Sequence, residues 1–335
     1  MKKGITAVAT NEQRRQEAKR KLEQRLQTQQ QAARRRQIIV ISISTVLTLA
    51  AVAAVGTVVG IKINNNRYKT CDYTATPAEQ NPFGKALTIA PTLTPDKRGQ
   101  AQQAVDEFNK GKAAQRTSPL PSKRELKKGT VTARLATSQG DFEITLDRSS
   151  AACNVAAITS LIRNKYYDNT TCHRMTGGTP EAKLTVLQCG DPTGTGGGAP
   201  GWSSPDEFPT GLKIVPQTQQ EAASGQPNSV VYPRGTVAIA NSYQPGQQGG
   251  PASGENSGSA QLFIVIKDSQ LPPYYSVVGK VDATGLAAVD KVLAAGLTPR
   301  VQYATDQNGA ITDVATTPGD GAPKLPLTFT KVSIA

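Results

Sequence analysis

A run of 24 residues without one charged side chain, Ile38–Ile61, constrains this chain more than any other stretch. As a helix rising about 1.5 Å per residue it would reach roughly 36 Å, enough to cross a hydrocarbon core of about 30 Å with some tilt. It is rich in Ala and β-branched residues, and Gly56 and Gly60 give the small-xxx-small spacing that lets helices approach closely. The run is read as a retained transmembrane helix. A secretory signal is the competing reading, but its apolar core is typically about 7–15 residues, and no Ala-x-Ala type site followed by a plausible mature start is evident after Ile61. Residues 1–36 carry 11 Lys or Arg against 3 Glu, a net of +8, and end in Arg34-Arg35-Arg36 against the run. Positive flanks stay in the cytoplasm, so the expected topology is a single pass through the plasma membrane, amino terminus inside and about 270 residues outside.

Charge then narrows the partners. Of the net +13, that basic segment accounts for +8 and everything after it for +5. The excess is read as contacting anionic lipid headgroups, not nucleic acid. All four cysteines (Cys71, Cys153, Cys172, Cys189) fall on the expected outer side, where an even number fits disulfides; reduced buried thiols are the alternative. No Cys-x-x-Cys occurs and there is one histidine, so no metal site is expected.

The chain divides into a basic cytoplasmic segment (1–37), the span (38–61), an extracytoplasmic linker (62–128) and a globular domain (129–335). Residues 11–36 read as a solvated helix or basic tail with a thin stripe of Ala18, Leu22 and Leu26. The linker is punctuated by Pro77, Pro82, Pro91, Pro95, Pro119 and Pro121. Within it, Thr94-Pro95 starts one short amphipathic helix with Ala101, Ala104, Val105 and Phe108 on its apolar face, to dock on the domain or on a partner. In the domain, Val131, Ala133 and Leu135, then Phe142, Ile144 and Leu146, alternate about a Gln139-Gly140 turn as a hairpin. A helix over 150–164 follows, with Val155, Ile158 and Ile162 on one face. Short strands are expected at 171–175, 185–190, 235–240, 261–267 and 277–281, then a helix over about 285–295 capped by Thr284, and a last strand in "LPLTFTKVSI". Many short strands with two helices suggest a mainly β fold, a closed antiparallel barrel with helices over its ends.

Four segments carry more than architecture. "YYDNTTCHRM" ends at Met175, "VLQCGDPTGTGGGAPGWSSPDEF" runs from Val186 to Phe208, "GTVAIANS" covers Gly235–Ser242, and "AQLFIV" covers Ala260–Val265. In this order they resemble the cyclophilins, over roughly residues 129–335, with extra loops near 213–233 and 298–323. The resemblance implies a cyclophilin-like barrel and peptidyl-prolyl cis-trans isomerase (rotamase) activity without a cofactor. It also implies a membrane-anchored bacterial, actinobacterial-like form serving proline-containing polypeptides of the envelope.

That reaction forms and breaks no covalent bond. Its barrier, about 18–20 kcal/mol, is lost amide conjugation as the C–N bond twists. The site needs an apolar pocket for the ring and a fixed donor aimed at the imide nitrogen, binding the twisted state better than either planar one. By resemblance Arg174 is that donor and Gln188 holds the substrate carbonyl and orients it. Ala240 and Asn241 grip the residue before proline, Gln261 is a pocket wall, Phe263 the pocket floor and Leu271 its edge. His173 is read as a structural strand residue, since no covalent step calls for a base. Where the family places Phe-Met in the pocket wall, this chain has Thr185 and Val186. Gln270 stands for the usual Trp and Tyr275 for the usual His, and the loop between Met175 and Leu184 is longer. The hairpin implied by the resemblance sets Cys172 beside Cys189, and Cys71 is then expected to pair with Cys153.

Two other functions stay in view. The altered pocket wall favours a non-catalytic cyclophilin-fold module that binds proline-containing segments. The glycine loop Thr193–Gly201 invites a phosphate-binding reading, but it lacks the Gly-Lys-Ser/Thr ending and leads into no apolar helix.

Overall fold

The computed structural model describes residues 11–177, 182–223, 227–246 and 250–335, and within these leaves out the side chains of 13, 37–56, 58–60, 63, 221 and 223. The backbone divides into two units, residues up to Asn65 and Asn66–Ala335. The first is one helix, Asn11–Arg67 by its full extent, and Leu22 and Leu26 on it are exposed. Among the described residues no helix is long and apolar enough to cross a membrane. Most of the Ile38–Ile61 run, on which the transmembrane reading rests, lies outside the described side chains.

The second unit is built on the expected strands. The main sheet runs in the order Arg174–Thr176, Val186–Cys189, Leu262–Val265, Thr236–Ile239, Val277–Val281, Phe142–Asp147, Thr130–Thr137, Thr328–Ile334 and Thr170–Thr171, all neighbours antiparallel. Period-two alternation sends Leu135, Ile144, Leu187, Ile239, Ile264 and Phe329 to one face, where they form the core. The expected closed barrel is not a continuous hydrogen-bonded ring. Beyond Arg174–Thr176 the sheet continues into Ala310–Pro323 and Leu297–Thr305. The nine strands start and finish on one stretch of chain, Thr170–Thr176, whose two short strands are separated by Cys172 and His173. There the Cys172 amide donates to Leu327 and the His173 amide to Gln188, so the chain switches partners instead of closing one ladder.

Both helices are where the periodicity puts them. Ala152–Arg163 buries Val155, Ile158 and Ile162 as expected, and most of its other side chains too, because the antiparallel pair Tyr68–Thr70 and Arg124–Leu126 packs on it. Its first turn is capped from far along the chain. The Glu207 carboxylate accepts the Cys153 and Asn154 amides at 3.2 and 2.9 Å, and Lys69 Nζ pairs with it at 2.6 Å. The second helix, Ala283–Ala295, is capped by Asp282, whose side chain accepts the Gly285 amide at 2.7 Å; Thr284 lies inside the helix.

Two segments depart from expectation. The stretch read as a loop near 298–323 is a long antiparallel arm, Leu297–Thr305 paired with Ala310–Pro323. The linker helix, Pro95–Ala114, docks on that arm and buries Ala101, Ala104 and Phe108 against Phe83, Val301, Ile311 and Val314 in a second core. The linker therefore does not end at residue 128 as a separate spacer. Its apolar stripe has a place to go, and residues from Asn66 onward form one compact unit. Both expected disulfides are present, Cys71–Cys153 with Cα atoms 5.4 Å apart and Cys172–Cys189 at 4.0 Å.

Candidate active site

Sheet register assembles the site. Arg174 stands opposite Gln188, Gln188 opposite Phe263, and Phe263 opposite Ala238, so these side chains share the face away from the core. Arg174 Nη1 donates to Gln188 Oε1 at 3.1 Å, and Gln188 Nε2 donates to Gln261 Oε1 at 2.8 Å. Gln261 Nε2 in turn donates to the carbonyls of Gly196 and Gly198, at 2.8 and 3.0 Å. From the opposite side Asp320 receives Arg174 Nε and Nη2, both at 2.8 Å, which raises the guanidinium above its already high pKa.

The glycine loop is held by a carboxylate. Asp191 accepts the amides of Thr193, Gly196 and Gly198 at 2.7, 2.6 and 3.2 Å. A Cβ at Gly198 would lie 1.9 Å from Asp191 Oδ1, so only glycine fits there. With these amides turned onto Asp191, the loop is not a phosphate cradle.

Across the strands from Arg174 is a cluster of apolar side chains. Phe263, Val186, Tyr232, Val230 and Ala238 are buried together, with Ala240, Leu271 and Tyr275 packed at the edge. Phe263 and Tyr275 meet edge to face with ring centroids 5.5 Å apart. Tyr232 was not foreseen. It comes from the strand Val230–Tyr232, which pairs with Ser269–Leu271, and its hydroxyl donates to the Tyr275 carbonyl at 3.1 Å. The alternation of Val230 and Tyr232 was the signal available in the sequence. Burial pushes the phenols of Tyr232 and Tyr275 up, so both stay neutral. Thr185 does not join this wall: it is buried, its amide donates to Ser269 Oγ at 3.0 Å, and its side chain abuts Gly177. Val186 and Tyr232 belong to the apolar cluster instead. Gln270 is exposed on the same small sheet, opposite Val231.

A groove of about 790 Å³ is lined by Gln188, Gln261, Ala240 and Asn241 on one side and by linker residues Thr74–Pro77 and Pro82 on the other. The Ala240 amide donates to the Gln261 carbonyl at 3.0 Å, and Asn241 Nδ2 donates to the Tyr274 carbonyl at 2.7 Å, which fixes this rim. The linker wall was not foreseen; it is brought there by pairing of Thr74–Ala75 with Trp202–Ser203.

His173 does not line this groove. Its ring is buried beside Asp191 and Arg300, away from the groove, and neither ring nitrogen has a hydrogen-bond partner. Burial lowers its pKa to about 4, against an opposing pull from Asp191. The unfolded chain takes up this proton near pH 6.5 and the folded chain only near 4, so stability present above about pH 6.5 is lost as the pH falls toward 4. The loss is on the order of 3 kcal/mol. Urea unfolding of the wild type and of His173→Gln at pH 7 and pH 4.5 checks this. The variant is expected to lose clearly less, and equal losses would assign the acid sensitivity to carboxylates.

The arrangement sets a guanidinium held by Gln188 and Asp320 near an apolar cluster, and among the described residues of this site no nucleophile and base are in contact. The sequence model of the family described as "Cyclophilin type peptidyl-prolyl cis-trans isomerase/CLD" matches residues 132–315. A "Probable peptidyl-prolyl cis-trans isomerase B" of Mycobacterium leprae is 39% identical over 168 residues, 50% of this chain and 50% of that protein. Its namesake in Mycobacterium tuberculosis is 38% identical over 168 residues, 50% of this chain and 48% of that protein. The chain thus matches about half the length of these curated relatives. A solved cyclophilin type peptidyl-prolyl cis-trans isomerase of Cryptosporidium parvum aligns with 62% of this chain and 98% of its own, at 21% identity and a TM-score of 0.40. The family match covers more than half of the chain: it belongs to the cyclophilin-type peptidyl-prolyl cis-trans isomerases.

Proposed function

We propose that the chain is an active peptidyl-prolyl cis-trans isomerase in which Arg174 donates to the prolyl nitrogen as the X–Pro bond twists. The observation that carries this is the chain Arg174–Gln188–Gln261 lying beside the apolar cluster of Phe263. The proline ring would sit on Phe263, Val186 and Tyr232, and the residues before it would run along Ala240 and Asn241. The clients are proline-containing segments of exported or envelope proteins. The uncharged run and its basic flank support a single-pass anchor in a bacterial plasma membrane, amino terminus in the cytoplasm and catalytic domain outside, with lipid contact by the basic segment.

A non-catalytic binding module is the second reading, favoured by Asp320 taking two of the Arg174 donors. An isomerisation assay on X–Pro peptides with the full chain in detergent separates the two. Acceleration over the uncatalysed tens to hundreds of seconds is expected. Peptide binding without acceleration would overturn the enzymatic reading.

A further inference from the structure

The arm between the second helix and the last strand does more than shield a core. Its returning strand pairs with the strand that bears Arg174, Asp320 opposite Thr176 and Gly321 opposite Met175. That pairing fixes the arm to the Arg174 strand, and there the arm's own two strands lie close, since a Cβ on Gly321 would come 2.0 Å from the Thr298 carbonyl oxygen. Its far end is pinned too: the Thr88 and Ala90 amides donate to Gly309 and Ile311, and the linker helix packs across both strands. Asp320 is thus carried on a scaffold fixed at both ends, and its carboxylate grips the Arg174 guanidinium through Nε and Nη2 at 2.8 Å each.

A guanidinium has five N–H donors in a rigid fork. Asp320 takes two and Gln188 one, which leaves one on Nη1 and one on Nη2. Arginine is otherwise a long side chain with many rotamers, and a donor that must meet a twisting imide nitrogen acts only in the rotamers that point at it. We propose that Asp320 is a positioning residue for Arg174: the arm clamps one edge of the guanidinium so that the remaining donors face the groove. This rests on the reading of Arg174 as the donor. A brake would occupy the donors the substrate needs, whereas this clamp leaves two of them free. The pair is partly exposed, 36% for the arginine side chain and 20% for the aspartate, so its contribution is expected in the kinetics more than in stability.

The test uses the full chain in detergent, with Asp320→Ala and Asp320→Asn, and reads kcat and KM on an X–Pro peptide. It also reads exchange of the Arg174 Nε–H with water from its nitrogen-15 signal. Asp320→Ala is expected to lower kcat on the order of tenfold with KM within about twofold, and to speed Nε–H exchange. Asparagine keeps one acceptor, so Asp320→Asn should recover part of kcat and part of the protection. Unchanged or increased kcat in both variants would overturn the proposal and mark the arm as structural or as a brake. Unprotected Nε–H in the wild type would overturn the clamp itself. Failure of the isomerase reading shows differently: the wild type would then give no acceleration while its Nε–H stays protected.

Discussion

Arg174→Ala is expected to lower kcat/KM for X–Pro rotation about 10²–10³-fold while the domain stays folded. The rotation needs no acid, base or nucleophile, so its barrier falls only by differential binding of the twisted amide. A fixed donor aimed at developing charge is typically worth about 2.7–4 kcal/mol, which converts to that factor. The Arg174 side chain is partly exposed, outside the core, and its partner Asp320 keeps enough solvent contact to rehydrate. The stability cost should therefore stay near 1 kcal/mol or less. Arg174→Lys keeps the charge but loses the fork that holds Gln188 and Asp320 together, so it should recover only a small part of the activity. Thermal unfolding measured beside the assay decides the case. A large drop in unfolding temperature accompanying the lost activity would mark Arg174 as structural.

Loss of the Cys71–Cys153 bridge is expected to cost about 4.5 kcal/mol, and loss of Cys172–Cys189 about 3, on the loop-entropy account of disulfides. The difference comes from the loops they close, with sequence separations of 82 and 17. The longer loop carries the linker's first strands to the helix Ala152–Arg163, beside the capping contact of Glu207 with the Cys153 amide. Alanine pairs at each bridge, compared by urea unfolding, test the ranking without leaving a buried hydroxyl unpartnered. Equal losses would show that loop length is not the cause, and a loss below about 1 kcal/mol for the longer bridge would show that packing alone holds the linker in place.

Much of the site was legible because its determinants are local. Alternation places Leu187 and Ile264 inward and hence Gln188 and Phe263 outward, whatever the rest of the chain does. The motif order brought Arg174, Gln188 and Gln261 together on paper, and the pairing of adjacent strands brings them together in space. Helix positions followed from periodicity, although the cap fell on Asp282 instead of Thr284, a matter of which side chain the incoming turn aims at Gly285. Thr185 was harder: a position beside the motif strand was matched to the pocket, yet its side chain abuts Gly177, and Tyr232 from a separate small sheet packs in the apolar cluster instead.

What only the tertiary structure decided lies at long sequence separation. Asp320 is 146 residues from Arg174, in a Gly- and Pro-rich stretch with no periodicity to read, and it reaches the guanidinium because the arm returns beside that strand. The linker's prolines read as a spacer, yet the stripe Ala101, Ala104 and Phe108 needed a surface that only the arm provides. Glu207 likewise became a cap when the fold set it at the first turn of a helix more than 40 residues earlier in the chain. Caps, turns and alternation act over a few residues and can be read in order along the chain. Ion pairs and docking between distant segments depend on where the whole backbone goes, and so they appear only once the chain is folded.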